Sequence, residues 1–381
     1  MNKSTVALIG CDTYDDEVVY EAVKAGINLL GGILHFVKRG ERIIMKPNVL
    51  FGTNPQKCVS THPSVLKAVG RILLEADTSV YYGDSSSFGR CEANMKRAGL
   101  KHVADELGIK IADFNKGKVV NHKKALLNKR FVIANGVLES DGLISLPKLK
   151  THGLTRFTGA VKNQFGCIPG ILKIRYHVQM ADPYDFGTML VDLNTFIKPR
   201  LYIMDGIMAM EGNGPRSGKP RKLGVLLFSA DPIALDSIAC KIIDLDPTYV
   251  PTSEPGERVG MGTYHHESIE LAGEDIETLI QKDFEVIRKP PVSATSGRIR
   301  TFIKSQICPR PTIDSARCTI CGTCVKLCPV KPKAVDWHSG DESNPPTFKY
   351  RRCIRCYCCQ ELCPEGAVSI RETLLGKILF R

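Results

Sequence analysis

The chain has 381 residues, 43% of them apolar, and a formal net charge of +12. It is long enough to bury a sizeable core and too long for one small domain. Its basic residues are scattered, so we do not expect nucleic acid as a partner, and no apolar run is long enough to predict a transmembrane span.

Cysteine usage indicates a reducing compartment. Nine of the fifteen cysteines lie between Cys318 and Cys363, in a chain far longer than a disulfide-rich secreted domain. The first apolar run, residues 6–10, predicts a strand and not a signal peptide. We therefore expect a cytoplasmic protein whose thiols stay free to bind metal.

Short β-branched runs alternate with helical patterns over residues 1–250. Strands are predicted at 6–10, 42–45, 79–83, 109–113, 142–146, 201–204 and 224–228. Helices are predicted at 15–33, 62–76 (with Thr61 as N-cap), 90–107, 182–197 and 231–243. This rhythm predicts an α/β domain with a largely parallel sheet.

Proline and glycine content sets the domain limits. Residues 247–263 read as a loop and residues 289–313 as a linker. We predict an α/β domain over residues 1–288 and a small α+β, ferredoxin-like domain over residues 314–381.

The small domain contains one cysteine spacing twice. The first motif has the form C-x2-C-x2-C-x3-C-P and comprises Cys318, Cys321, Cys324 and Cys328. The second comprises Cys353, Cys356, Cys359 and Cys363. This is the spacing of bacterial ferredoxins with two 4Fe–4S clusters, in which the fourth cysteine of each motif binds the other cluster. Zinc ribbons and disulfides are the alternatives, but neither requires a third cysteine at this spacing.

The crossed arrangement assigns four ligands to each predicted cluster. The first cluster would be bound by Cys318, Cys321, Cys324 and Cys363, and the second by Cys353, Cys356, Cys359 and Cys328. Cys358 is interpreted as a bystander.

Three arginines, Arg351, Arg352 and Arg355, lie around the second motif. Their charge predicts that the second cluster is the easier one to reduce and offers a docking face to an acidic electron carrier. The alternative is that they only solvate a surface.

Seven stretches of the large domain carry a family resemblance. They are 46–48, 60–63, 83–85, 148–152, 159–163, 205–215 and 231–236. In this order they resemble the family called domain of unknown function 362, over roughly residues 40–240. The resemblance implies a C-terminal ferredoxin module as a common companion but little chemistry.

Polar residues follow several predicted strands of this domain. Ligands of open α/β sheets bind beyond the carboxyl ends of the strands, so we expect a crevice there that Lys46, Lys148, Lys150 and Lys162 make cationic. A carboxylate or phosphate would suit it. Solvated lysines, or lysines neutralised by Asp84 and Asp205, are the alternatives.

The predicted site residues fall into two groups. Those with a possible catalytic role, including proton transfer by the histidines, are Lys46, His62, Lys150 and His152. Those with a possible ligand- or cofactor-binding role are Asn48, Asp84, Ser85, Ser86, Ser87, Lys148, Lys162, Asn163, Asp205, Glu211 and Asp236.

We therefore expect an iron–sulfur protein that passes electrons through two 4Fe–4S clusters, to or from a substrate or partner at the large domain. A low-potential ferredoxin or flavodoxin would be its donor. Oxidoreductase activity, an anaerobic setting and an anionic small-molecule ligand are hypotheses. The alternatives are a maturation or delivery factor, and an electron carrier that docks on a partner enzyme.

Overall fold

The computed structural model describes residues 3–86, 90–293 and 308–373. Ser87 and residues 294–307 of the predicted linker lie outside the described residues.

Twelve α-helices are described. They are α1 (Asp16–Leu29), α2 (Pro63–Glu75), α3 (Cys91–Arg97), α4 (Leu100–Glu106), α5 (Asn135–Leu138), α6 (Ala160–Asn163), α7 (Leu172–Gln179), α8 (Pro183–Ile197), α9 (Pro232–Ile242), α10 (Ser253–Arg258), α11 (Thr323–Leu327) and α12 (Cys358–Leu362).

Sixteen strands are described. They are β1 (Ser4–Gly10), β2 (Arg42–Pro47), β3 (Ser79–Tyr82), β4 (Lys110–Ile111), β5 (Gly117–Asn121), β6 (Arg130–Ala134), β7 (Gly142–Leu146), β8 (Lys148–His152), β9 (Arg156–Thr158), β10 (Leu201–Glu211), β11 (Lys219–Ser229), β12 (Ile269–Gly273), β13 (Arg310–Ile313), β14 (Val335–Asp336), β15 (Thr347–Phe348) and β16 (Val368–Arg371).

A ten-stranded mixed sheet forms the large domain, in the order β12-β1-β11-β10-β7-β2-β3-β4, with β8 and β9 attached beside β10. Most pairs are parallel, and β11 is antiparallel to both β1 and β10. The predicted α/β class is confirmed.

Alternate residues of the central strands face two separate cores. On β11, Leu226 and Phe228 pack in the core that includes α1 and α2, whereas Val225 and Leu227 pack in the core that includes α9. Both faces of the sheet are therefore covered by helices, as a mainly parallel sheet requires.

At the carboxyl edge the structure has more strand than the sequence predicts. β10 does not end at Asp205 but continues to Glu211 through a bulge between Gly206 and Met208, because β11 pairs with it throughout. Residues 148–152, predicted only to follow the strand at 142–146, form β8, whose Lys148 and Lys150 lie opposite Asp205 and Met210. The backbone pairing of β8 with β10 outweighs the weak strand preference of the polar side chains in β8.

Two helix predictions also change. The helix expected over 90–107 is broken at Gly99, which has a φ of 74° and separates α3 from α4. The region 247–263, expected as a loop, contains α10.

The small domain is closed by its two end strands. β13 pairs antiparallel with β16, so residues 310–313, the last of the predicted linker, belong to this sheet. Both cysteine motifs lie between these strands, and α11 and α12, which carry motif residues, pack on each other.

Candidate functional site

The predicted site residues converge beyond β2 and β8. Lys46 Nζ lies 2.7 Å from Asp84 Oδ1 and donates to Asn163 Oδ1 at 3.1 Å. Asn48 donates to the same amide oxygen at 3.2 Å, and its own Oδ1 accepts from Lys150 Nζ at 2.8 Å. Five residues from four segments thus form one hydrogen-bonded network.

The crevice is less cationic than we expected. Lys46 is paired with Asp84, and Lys148 Nζ lies 2.7 Å from Asp205 Oδ2. Neither lysine is more than 1% exposed. A buried ammonium requires a partner, and here the protein supplies carboxylates. For Lys46 and Lys148, the structure matches the alternative in which Asp84 and Asp205 neutralise the lysines.

Lys150 is buried without a carboxylate partner among the described residues. Besides Asn48, its Nζ donates to the carbonyl oxygen of Val59 at 2.5 Å. Burial lowers its pKa well below the usual value, and Lys162 and Lys148 act in the same direction. Lys150 lies on β8, and these two contacts hold the loop before α2 against that strand.

His62 caps α2, a position predicted for Thr61. Its Nδ1 accepts the backbone N–H of Ser64 at 3.3 Å, and its ring stacks on Tyr14 at 3.6 Å. Burial lowers its pKa to about 4. Thr61 instead donates its hydroxyl to the carbonyl of Leu146 at 2.6 Å, so this histidine is held neutral in a structural position.

His152 has its ring proton on Nε2. Its Nδ1 accepts the backbone N–H groups of Leu154 and Thr155 at 3.1 and 3.3 Å. Nε2 lies 2.9 Å from Glu361 Oε1, in the small domain. Burial lowers the pKa of His152 to about 4, and the pKa of Glu361 is also lowered, because His152 favours its ionised form. A neutral imidazole therefore faces a carboxylate across the domain interface.

Lys162, on α6, has no ion-pair partner within the described part of the chain and is partly exposed. Desolvation lowers its pKa, while the charge of Glu361 raises it. α6 itself is fixed by Asp236, whose carboxylate accepts the N–H groups of Ala160 and Val161 at 2.6 and 3.1 Å. Asp236 thus positions Lys162 through the helix.

The remaining predicted ligand-binding residues have different positions. Ser85 Oγ accepts the N–H of Gly170 at 2.6 Å, and Ser86 Oγ is buried with no hydrogen-bond partner in the described residues. Glu211 accepts the N–H of Glu285 at 3.0 Å, which ties the end of β10 to the segment after residue 280. Glu211 therefore does not lie in the Lys46 network.

The second cysteine motif docks on the large domain through α12. Gln360 Nε2 donates to Asn213 Oδ1 at 2.7 Å and to the carbonyl of Gly214 at 2.9 Å. Arg216 donates to the carbonyl of Leu362 at 3.0 Å. Phe51 packs against the apolar cluster that contains Cys356, Cys358 and Leu362. α12 is consequently held against the large domain.

The first motif lies at a more exposed position. Cys318, Cys321, Cys324 and Cys363 line one small cavity. Cys321 is exposed to solvent and Cys363 is buried. The eight motif cysteines are free thiols, and within residues 3–86, 90–293 and 308–373 no three His, Cys, Asp or Glu side chains converge on a single-ion site.

Several residues of this region were not predicted. Lys173 donates to the carbonyl of Ser85 at 2.5 Å, and burial lowers its pKa to about 7. His177 stacks on Phe186 at 4.5 Å, with a pKa of about 4. Tyr14 donates to Asp205 at 2.8 Å. Each lies in a segment without a recognised motif, so only proximity in the fold identifies them.

Comparison with known proteins identifies the large domain. Residues 43–241 match the family described as a domain of unknown function, DUF362, and residues 310–364 match a 4Fe–4S dicluster domain. The chain belongs to the DUF362 family. The thylakoid-associated protein sll1697 of Synechocystis sp. is 36% identical over 258 residues, which cover 68% of this chain and 80% of that protein.

Two solved structures show limited similarity. The lactate racemase apoprotein of Thermoanaerobacterium thermosaccharolyticum gives a TM-score of 0.42 at 12% identity. The match covers 63% of this chain and 56% of the racemase chain. A protein from Thermotoga maritima gives a TM-score of 0.38 at 13% identity, and the match covers 61% of this chain and 60% of that chain. The match spans less than two thirds of either solved chain. None of the helices described here is both long and apolar enough to cross a bilayer.

Proposed function

We propose that this DUF362 protein transfers electrons between an external low-potential carrier and the buried polar site of its α/β domain, through two 4Fe–4S clusters. The observation that carries the proposal is the unequal placement of the motifs. Cys321 is exposed, whereas α12 of the second motif contacts the polar site through Glu361 and His152. One end of the dicluster domain thus faces solvent and the other faces the site.

The thiols fit two clusters bound in the crossed pattern. Cys363 lies in the cavity of Cys318, Cys321 and Cys324, as a fourth ligand from the other motif requires. Four thiols around a cavity suit a cubane better than a single zinc ion, whose ligands converge on one point. The second cluster would be bound by Cys353, Cys356, Cys359 and Cys328. Such clusters supply one-electron transfer at low potential.

Exposed positive charge on the small domain supports an acidic carrier as its partner. Lys326 and Lys331 flank Cys328, are exposed, and have no ion-pair partner within the described residues. Arg351 and Arg352 are exposed as well, but Arg355 is only 3% exposed and cannot contact a carrier. Opposite charge steers association of such partners. We therefore propose a ferredoxin or flavodoxin as the partner.

At the buried end, Lys162 is the cation that remains for an anionic substrate or ligand. Lys46 and Lys148 are neutralised, and Lys150 is held by Asn48 and Val59. Lys162 has no such partner in the described residues and lies within electrostatic reach of Glu361 and Cys358. A bound anion near this position would lie next to the second motif.

Anaerobic preparation and electron transfer test the proposal. We expect about eight iron and eight sulfide per chain and two reduced-cluster signals in electron paramagnetic resonance. Reduced flavodoxin should reduce the protein, and Lys326→Gln/Lys331→Gln should slow the second-order step on the order of tenfold at low salt. Lys38→Gln/Arg39→Gln, two exposed residues of another surface, is the control.

Three results would count against the proposal. These are zinc or about four iron per chain, no electron uptake from a low-potential donor, or equal slowing by both double variants.

A further inference from the structure

A basic surface without acidic residues lies on the β5–β6 hairpin and α7, which we call the hairpin–α7 face. The stretches 115–134 and 159–181, which supply it, contain no Asp or Glu. Seven of its cationic residues are exposed: Lys116, Lys118, Lys123, Lys124, Lys129, Arg130 and Arg175. None of them has an ion-pair partner in the part of the chain that the structure describes. Such a surface attracts polyanions.

A groove of about 370 Å³ runs between the hairpin and the helix. Arg130 and Arg175 line it, together with the neutral polar residues Asn128 and Gln179, and Val119 supplies part of its apolar wall. No carboxylate lines it. Two guanidinium groups beside an apolar wall suit a phosphate group attached to an apolar body.

The hairpin and the start of α7 also carry exposed aliphatic side chains. Leu126 and Leu127 are 40% and 43% exposed at the hairpin tip, and Val119 and Ile171 are 51% and 63% exposed. Aliphatic residues in this number, exposed among unpaired cations, mark an interaction surface more than a solvated one.

The tip that presents the leucines is anchored. The carboxylate of Asp192, on α8, accepts the backbone N–H groups of Leu126, Leu127 and Asn128 at 2.6, 2.9 and 2.8 Å. Asp192 is 1% exposed. Asp192 therefore fixes three successive backbone N–H groups, and the two leucine side chains remain exposed. Because the loop is already ordered, binding requires little further loss of its conformational entropy.

We propose that the hairpin–α7 face binds the surface of a membrane rich in anionic lipids. The leucines enter the boundary of headgroups and acyl chains, the arginine groove takes a lipid phosphate, and the lysines lie over the charged surface. Nucleic acid is less well matched, because bases stack on aromatic side chains and the aromatic residues here, Phe131 and Tyr176, are buried. This inference does not depend on the proposed electron transfer.

Vesicle flotation of the full chain, prepared anaerobically with its clusters, tests the proposal. We expect binding to phosphatidylglycerol-containing vesicles and not to pure phosphatidylcholine, with weaker binding at high salt. Arg130→Gln/Arg175→Gln and Leu126→Gln/Leu127→Gln should each lower the partition coefficient on the order of tenfold. The matched control, Leu34→Gln/Lys38→Gln, changes an exposed leucine and lysine on another surface and should bind as the wild type does.

Each of three results would overturn the proposal. The wild type fails to bind anionic vesicles, or the leucine variant binds as tightly as the wild type, or the protein binds duplex DNA or RNA in preference to the vesicles. Unchanged thermal midpoints of the variants would establish that a loss of binding is not a loss of fold.

Discussion

Oε1 of Glu361 lies 2.9 Å from Nε2 of His152, and this contact joins the second cysteine motif to the end of β8. Glu361 lies in α12, between Cys359 and Cys363, while His152 is held from behind by the backbone N–H groups of Leu154 and Thr155. A negative charge beside the proposed second cluster is thus fixed by a neutral group of the large domain.

Removing that charge should make the second cluster easier to reduce. Glu361→Gln keeps the shape of the side chain but removes a buried anion, so we expect a positive shift of one reduction potential on the order of 50 mV, equivalent to about 1 kcal/mol for one electron. A redox titration followed by electron paramagnetic resonance measures it. Glu365→Gln, which removes an exposed carboxylate near Cys363, should shift either potential less, because solvent screens it. Equal shifts in both variants would contradict the argument.

The crossed ligand pattern predicts which cysteines act together. Cys318→Ser and Cys363→Ser should alter the same reduced-cluster signal, because both thiols line one cavity. Cys353→Ser and Cys328→Ser should alter the other signal. The four single variants, compared by electron paramagnetic resonance, give the assignment. If Cys363→Ser and Cys353→Ser affect the same signal, each motif binds its own cluster.

The Lys46–Asp84 pair should contribute to folding more than a surface pair does. Lys46→Met leaves the buried Asp84 carboxylate without its cation and should lower the free energy of unfolding by about 3–5 kcal/mol. Denaturant unfolding of the anaerobic protein measures it. Lys101→Met, which breaks an exposed pair with Asp105 on α4, is the control and should leave the midpoint nearly unchanged. A stable Lys46→Met protein would indicate that Asp84 is satisfied by the Val49 N–H alone.

Acid sensitivity should depend on the buried histidines. Burial lowers the pKa of His177 from 6.5 to about 4, so below pH 6.5 the unfolded chain takes up a proton that the folded chain does not. The free energy of unfolding therefore falls as the pH drops from 6.5 towards 4.

A ring substitution separates this effect from other acid effects. His177→Phe keeps an aromatic ring on Phe186 and should remove on the order of 3 kcal/mol of the decline. Thermal or denaturant unfolding across this pH range measures it. His102→Phe, at a site where the side chain is 80% exposed, should keep the wild-type pH dependence. Identical pH profiles for all three proteins would show that His177 is not held neutral.

The sequence predicts regular elements better than it predicts their ends or their partners. The hydrophobic run at residues 142–146 predicts the bounds of β7 correctly, because the buried side chains of this segment favour a strand. The extension of β10 beyond Asp205 depends on pairing with β11, and no local pattern signals it. The β5–β6 hairpin was missed because its first strand is largely exposed and has only two apolar side chains, Val119 and Val120.

The candidate site divides in the same way. The rule that ligands bind beyond the ends of strands identified Lys46, Asn48 and Asp84, and the fold brings these three residues together. Whether a lysine is free or neutralised depends on distances between remote segments, so Lys162 could not be distinguished from Lys46 in advance. The contact of His152 with Glu361 joins the two ends of the chain, and only the fold reveals it.

Cys321 is exposed, whereas Cys356 and Cys358 are buried. This difference determines how the protein should lose iron when it is exposed to air. Dioxygen and chelators reach the first motif before they reach the second, so damage should proceed in order and pass through a form that has lost one cluster. A preparation with about half of its iron would then be a uniform one-cluster protein rather than a mixture of loaded and empty chains.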